Sequence, residues 1–521
     1  MKKFFLPIPI LLVLISTTIY AQQDLGQINV NIRGVTETFS AEDTLGHLGY
    51  IFQSPKVYEV IFLNSSYQSD RDIIVNRNPK FSKDKIVGAT IDNNTMTVYF
   101  YNKKLRTVST LNADRSSSSG SYRKLITLTK DEEYLKSISM NGRFFVLTVP
   151  KYKNGLKIYT ITGGNSAEAT NYEIEMPVFF KKLVNGNQNL NDIPDSHLGI
   201  QEINYSLENN IKSSYPDKKL YYHHDKIFMT FDEPTCTHLI EIDPLAHSSS
   251  YKKLNFSLEK GNNSKSKQGN SFLYDKRLFR ATISPEQMNL SIIDLDSIKL
   301  VNSYNFYPED EIGINNGPVV LENGSSAINM QNEKVLKKPQ QYFRNVLNSN
   351  LAVAANKMDD QKYEVEVGSY EEIVTPRAGG FGGSGLSIGI GLGGIMMGGG
   401  GGGFGYPMGG GYGFPSGGGM GFPGGYGYSS YGGFPGYYPY GGSGSRIRMV
   451  YFKTLLSNND FKHMEGDVPK TMRENINDYE QSFNNNVNFE NIRVSSYTDK
   501  VIIGYYIRSQ KKYRLVEFKK N

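Results

Sequence analysis

Five times along this sequence a short polar turn launches an apolar run that returns as a second, alternating strand. Asp84-Lys85 opens 86–91, which turns through Asp92-Asn93-Asn94 and comes back over 96–100. Asn141-Gly142 opens 144–149, with its return over 156–161 after Asn154-Gly155. Asp225-Lys226 opens 227–231, returning over 239–242, and Asp275-Lys276 opens 278–283, returning over 290–295. The last copy, Asp499-Lys500, opens 501–507 and returns over 513–518. Two weaker units, 57–75 and 351–452, complete the series.

A continuous apolar strand followed by an amphipathic one is the order expected of an inner strand buried on both faces and an outer strand buried on one. Radial repetition of such sheets is the propeller plan, with four strands to a blade. Setting aside the first 21 residues and the glycine-rich stretch leaves roughly 430 residues, or about 60 for each of seven units. The expected fold is therefore all-β and propeller-like, with about seven irregular blades, minor helical decorations and a long disordered glycine-rich insertion. No WD or kelch signature marks the units, so a set of β-sandwiches is the rival architecture. The even spacing favours the ring. Residues 28–32 form a spare strand at the start, and 501–518 an incomplete unit at the end. Pairing the two would close the ring and remove its exposed edges.

Two stretches carry a helical period. In 469–483, Met472, Ile476, Tyr479 and Phe483 share one face, with Pro469 suited to the first turn and Asp467 to the cap. A shorter helix is expected over 339–347 through Tyr342, Phe343, Val346 and Leu347.

The least ordinary stretch is 378–445, which is glycine, tyrosine, phenylalanine, proline and serine with scattered aliphatics, and holds no charged residue. Glycine at this density opposes a packed core on entropic grounds, and proline blocks ladders and helices. Its flanks, 363–367 and 447–452, read as two halves of one hairpin. The chain thus divides into 1–21, a propeller part over 22–377, the insertion 378–445, and a closing propeller part over 446–521. Within the insertion, Gly413-Phe414-Pro415, Gly421-Phe422-Pro423 and Gly433-Phe434-Pro435 recur. Tyr406, Phe414, Phe422, Phe434 and Tyr438 are the candidate interaction residues, spaced to meet aromatics, glycans or other copies of the stretch. The bland reading is passive low-complexity drift.

Lys2 and Lys3, the apolar run 4–15 and Ala21 read as an export signal. That run is too short to span a bilayer, so the expectation is export to periplasm, cell surface or medium without a transmembrane span. The formal charge of +6 is spread along the chain with no basic block, which argues against a nucleic-acid partner.

Catalytic signatures are sparse. There is no phosphate loop or H-E-x-x-H, and the G-x-G-x-x-G of Gly389, Gly391 and Gly394 lies in low-complexity sequence. Cys236 is the only cysteine; His238 would share its strand face, and a buried structural thiol is the preferred reading over a nucleophile. His223-His224 point to opposite faces and suit no common ion. Asn185, Asn187, Asn189 and Asp192 imitate a calcium loop, but Leu190 stands where glycine is needed. Asp359-Asp360 and Glu371-Glu372 are paired acids of the kind common at turns. No catalytic, metal or cofactor residue is assigned.

The composition and pattern point to an exported, non-catalytic propeller-like scaffold of the bacterial envelope or surface. Its partner would be a surface protein or glycan, with self-association through the insertion. The alternatives are a propeller enzyme acting on extracellular glycans or peptides, and a structural matrix component. Acids, tyrosines and a histidine converging on the central channel would favour the enzyme.

Overall fold

The computed structural model describes residues 22–43, 45–78, 84–117, 119–176, 180–185, 200–223, 225–258, 267–325, 328–374, 445–482, 490–497 and 499–520. The expected signal 1–21 and nearly all of the insertion, with Tyr406, Phe414, Phe422, Phe434 and Tyr438, lie outside the described residues.

Thirty described strands form seven sheets of four or five. The first blade is Glu37–Glu42, Leu48–Gln53, Val57–Leu63 and Ser69–Asn76. The second is Lys85–Ile91, Thr95–Asn102, Thr107–Asp114 and Ser119–Thr127, and the third Glu132–Met140, Arg143–Pro150, Gly155–Thr162 and Ser166–Glu173. The fourth runs Lys218–His223, Lys226–Glu233, Cys236–Asp243 and Ser248–Asn255, with Gln201–Ile203 added in parallel inside its first strand. The fifth is Gln268–Tyr274, Arg277–Ile283, Met288–Asp294 and Lys299–Phe306.

First strands of neighbouring sheets converge. Glu37–Glu42 lies against both Glu490–Ser496 and Lys85–Ile91, the latter lies against Glu132–Met140, and Gln268–Tyr274 against Asn350–Lys357. Fourth strands such as Ser119–Thr127 and Ser166–Glu173 face mostly solvent. The sheets therefore radiate from a central axis, and the chain is a seven-bladed β-propeller.

One feature of the strand pattern needs correction. The apolar runs 144–149, 227–231, 278–283 and 501–507 are second strands, not innermost ones. A second strand has a neighbouring blade against each face: Phe144, Phe145, Val146 and Leu147 are all fully buried or nearly so. An innermost strand looks partly into the axis and can be polar, as in Glu132–Met140. Of the five runs opened by a polar turn, only 86–91 is innermost.

The seventh blade closes the ring from both termini. Glu490–Ser496, Lys500–Ile507 and Lys512–Lys519 come from the end of the chain, and Gln22–Asn29 pairs antiparallel outside them, Gln22 opposite Phe518 and Ile28 opposite Tyr513. The strand lies earlier than 28–32, but Val30 and Ile32 beyond it are buried among Leu48, Tyr50, Tyr513 and Leu515. Glu59 of the first blade fastens this seam, its carboxylate accepting hydrogen bonds from the backbone N–H of Asn31 (2.9 Å) and Ile32 (3.1 Å).

The sixth blade breaks the chain order. From rim to axis it runs Ile328–Val335, Val320–Ser325, Ser445–Ser457, Lys362–Val374 and Asn350–Lys357, so its two outer strands precede its inner one. The helix Pro339–Leu347 then carries the chain inward, as expected. The second helix is shorter than its sequence pattern, Met472–Gln481. Its cap is Thr471, not Asp467: Glu474 N–H donates to Thr471 Oγ1 (3.2 Å) and Thr471 N–H to Glu474 Oε2 (2.7 Å), a reciprocal capping box. Met472 and Ile476 are buried against Ile492, Val501 and Phe518 of the seventh blade, and Phe483 lies outside the described residues. No described helix is long and apolar enough to cross a membrane.

A braced platform at the root of the insertion

The hairpin expected to carry the insertion is present. Lys362–Val374 and Ser445–Ser457 are thirteen residues each and pair without a register shift, from Lys362 opposite Ser457 to Val374 opposite Ser445. Val320–Ser325 follows the second of these outward as far as Arg446. The strands fit closely at Gly368, where a Cβ would stand 2.0 Å from the Val450 carbonyl oxygen.

Alternation gives the stem two different faces. Val365, Val367 and Phe452 enter the large core shared with the fifth blade. The helix Pro339–Leu347 covers this side: Tyr342 donates its hydroxyl hydrogen to the Val367 carbonyl (3.1 Å), and Arg448 donates to Asn345. The other face carries Glu364, Glu366 and Lys453. Lys453 Nζ lies 2.9 Å from Glu364, 3.5 Å from Glu366 and 2.8 Å from Glu474 of the second helix. Burial opposes the lysine's charge, but the carboxylates of Glu366, Glu364 and Glu474 outweigh it and hold the ammonium well above its ordinary range. Burial raises the Glu364 carboxyl to about 7, against the pull of Lys453.

This charged face is covered by a segment that sequence reasoning missed. From Gln201–Ile203, inside the fourth blade, the chain wedges between the sixth and seventh blades. Asn209 and Asn356 exchange hydrogen bonds, Asn209 N–H to Asn356 Oδ1 (2.7 Å) and Asn356 Nδ2 to the Asn209 carbonyl (2.8 Å). The Ile211 N–H donates to Glu366 Oε2 (3.1 Å), and the Tyr215 ring stacks on Tyr370 at 4.6 Å. Glu208 accepts from the N–H groups of Met472 (3.1 Å) and Arg473 (3.3 Å). The platform is thus braced by a helix on one face and by a wedge from across the axis on the other.

Near the axis, Glu202 pairs with Lys136 of the third blade (3.2 Å). Burial raises its carboxyl, and the protein atoms crowded around Glu42 in the first blade raise its carboxyl to about 7 although the residue keeps solvent contact. Tyr222 feels both carboxylates, and its hydroxyl is pushed well above its ordinary value, first by burial.

The other candidate residues are scattered. Asp359 and Asp360 occupy the turn before Lys362–Val374 and pair with Lys362 (3.5 Å) and Lys357 (2.8 Å). Glu371 and Glu372 stand on the stem opposite Arg448 and Ile447. His223 lies 3.9 Å from Asp275, while His224 is outside the described residues. Asn185 ends the helix Phe180–Asn185; Asn187, Asn189, Asp192, Gly389, Gly391 and Gly394 are outside them as well. Cys236 and His238 do share a buried strand face, as expected, with Nε2 3.6 Å from Sγ. Burial pushes the thiol up to about 11, which opposes a nucleophilic thiolate at neutral pH. Glu233 stands beside them, its carboxylate 3.3 Å from the Cys236 sulfur.

No protein-family model matches the chain, and no curated protein matches it. Among solved structures it is similar to a propeller described as that of Dos1, at 10% identity and TM-score 0.26 over 66% of this chain and 84% of that one. A subtype N10 neuraminidase-like protein of A/little yellow-shouldered bat gives 9% identity and TM-score 0.24 over 66% and 95%. One of two prolyl endopeptidases gives 10% and 0.25, with 66% of this chain spanning 38% of that protein's length. Likenesses this weak say nothing about the chemistry of this chain, whose propeller rests on its own sheet order.

Proposed function

We propose that the chain is an exported, non-catalytic propeller scaffold of the bacterial envelope or cell surface, and that its glycine-aromatic insertion is the part that engages a partner. The observation that carries this reading is the stem. Among the described strands, the two that feed the insertion are the longest, and they are braced on both faces. A rigid root fixes where the insertion leaves the ring and keeps forces on it from opening the blade. Tyr406, Phe414, Phe422, Phe434 and Tyr438 are the contact residues in this reading, and a surface protein, a glycan or another copy of the insertion is the partner.

The test is recovery of partners from the native envelope with the full chain, with residues 378–445 removed, and with the five aromatics changed to alanine. Loss of the same partners in both variants supports the reading; retention in both rejects it. The enzyme alternative draws on one observation, the convergence of Glu42, Glu202 and Tyr222 near the axis. Activity on glycans or peptides that is lost in Glu202→Gln would favour it.

A further inference from the structure

The turn joining the second and third strands of the fourth blade brings Glu233, Cys236 and His238 together. Cys236 Sγ is 3.3 Å from Glu233 Oε2 and 3.6 Å from His238 Nε2, and that nitrogen is 3.5 Å from Glu233 Oε1. A zinc ion bonded at ~2.3 Å to sulfur and ~2.0 Å to nitrogen and oxygen, with tetrahedral angles, holds its ligand atoms about 3.3–3.6 Å apart. Cys236 Sγ and His238 Nε2 stand at such a separation, and each lies within it of one oxygen of the Glu233 carboxylate, Oε2 for the sulfur and Oε1 for the nitrogen.

One of the two imidazole tautomers leaves this cluster short of protons. His238 Nδ1 lies 2.8 Å from the Tyr251 hydroxyl. In the tautomer whose Nδ1–H donates to that oxygen, Nε2 turns a lone pair toward the thiol and the carboxylate. The thiol proton is then shared between the buried Nε2 and the half-exposed Glu233 carboxylate. We propose that Glu233, Cys236 and His238 form a binding site for a thiophilic divalent cation, with zinc the metal that fits best. The thiol gives its proton to solvent on binding, so thiolate and carboxylate balance the two positive charges while the imidazole stays neutral.

The surroundings hold these ligands in place. Tyr251 orients the imidazole. Arg280 donates to the backbone carbonyls of Glu233 and Pro234, fixing the turn from which the Glu233 side chain projects. Gly269 leaves the space this arginine needs, since a Cβ there would stand 1.8 Å from Nη2. The nearby positive charges do not preclude a cation. Asp232 offsets Arg280 at 2.6 Å while also holding Lys219 at 3.3 Å, and Lys253, across the ladder from His238, is exposed to solvent. Cys236 and His238 are 1% exposed, while the Glu233 side chain is 49% exposed and gives the ion its approach from solvent.

The probe is cobalt(II), titrated into purified full-length protein freed of metal with a chelator. A single equivalent should give thiolate-to-cobalt charge transfer with tetrahedral ligand-field bands, and zinc should displace it. Cys236→Ser should abolish the charge-transfer band. Glu233→Gln, at a half-exposed side chain that the fold does not need, should weaken binding by tenfold or more with the melting temperature of the metal-free protein unchanged. Absence of charge transfer in the parent protein, or unchanged affinity in Glu233→Gln, would overturn the site.

Discussion

The fifth and sixth blades join their second and third strands at equivalent points, with very different lengths of chain. In the fifth, residues 284–287 make a tight turn in which Ser284 N–H donates to the Gln287 carbonyl (2.8 Å) between strands of seven residues. In the sixth, residues 375–444 intervene between strands of thirteen. Loop-closure entropy separates two such connections by only about 2.5 kcal/mol if the longer one behaves as a free chain. The added stem pairs and bracing contacts are of the right size to offset that. A blade therefore tolerates an insertion where its stem is held on both sides. The closing strand Gln22–Asn29 is the opposite case, eight residues that complete the seventh blade from the far end of the chain.

The comparison can be broken first at the closing strand. Removing residues 22–33 strips the outer strand of the seventh blade, exposes the face that Ile28, Val30 and Ile32 cover, and takes from Glu59 its N–H donors. The melting temperature should fall by more than about 10 °C and light scattering should show oligomers formed through the opened edge. A monomer with unchanged melting would contradict the closure. Next in size is Lys453→Met, which leaves Glu364, Glu366 and Glu474 facing one another without their cation. It should cost about 3–5 kcal/mol in denaturant unfolding. A smaller effect concerns pH. Because burial raises Glu364 from 4.5 to about 7, the folded state takes up a proton more readily than the unfolded chain. This contribution to stability is full below pH 4.5 and is lost as pH rises through about 7. Glu364→Gln should flatten that part of the melting-temperature profile, and a parallel profile would show that Glu364 does not titrate in this range. Tyr342→Phe, which removes one hydrogen bond to the stem, should cost only about 1 kcal/mol.

Much of this architecture was legible because buried strands announce themselves. The runs at 144–149 and 278–283 are apolar on both faces, and the strict alternation of 363–367 with the aromatic, apolar return of 447–452 let the hairpin across the insertion be read directly. The frame was read one strand too far inward, since burial on both faces marks a second strand and an axis-facing one can stay polar. Val320–Ser325 and Ile328–Val335 gave no apolar signal because they lie toward the rim, and their arrival ahead of the inner strand is a matter of topology alone. The wedge through Glu208, Asn209 and Ile211 was equally silent: its role lies in hydrogen bonds across 147 to 265 residues of sequence. For Cys236 and His238, shared strand parity was visible. The third member, Glu233, needed the turn geometry to bring it back, although the spacing Glu233-x-x-Cys236-x-His238 is a signal that a search for mixed ligands would have found.

The central claim is that the insertion is a functional appendage on a ring that stands without it. The most direct test replaces residues 375–444 with Asn-Gly and follows thermal unfolding and partner recovery on the same preparation. One cooperative transition is expected within about 3 °C of the parent, a shift of no more than about 3 kcal/mol for a domain this large, together with loss of the envelope partner. A collapsed or split transition would contradict it by making the insertion part of the core, and full partner recovery with unchanged melting would place binding on the ring itself.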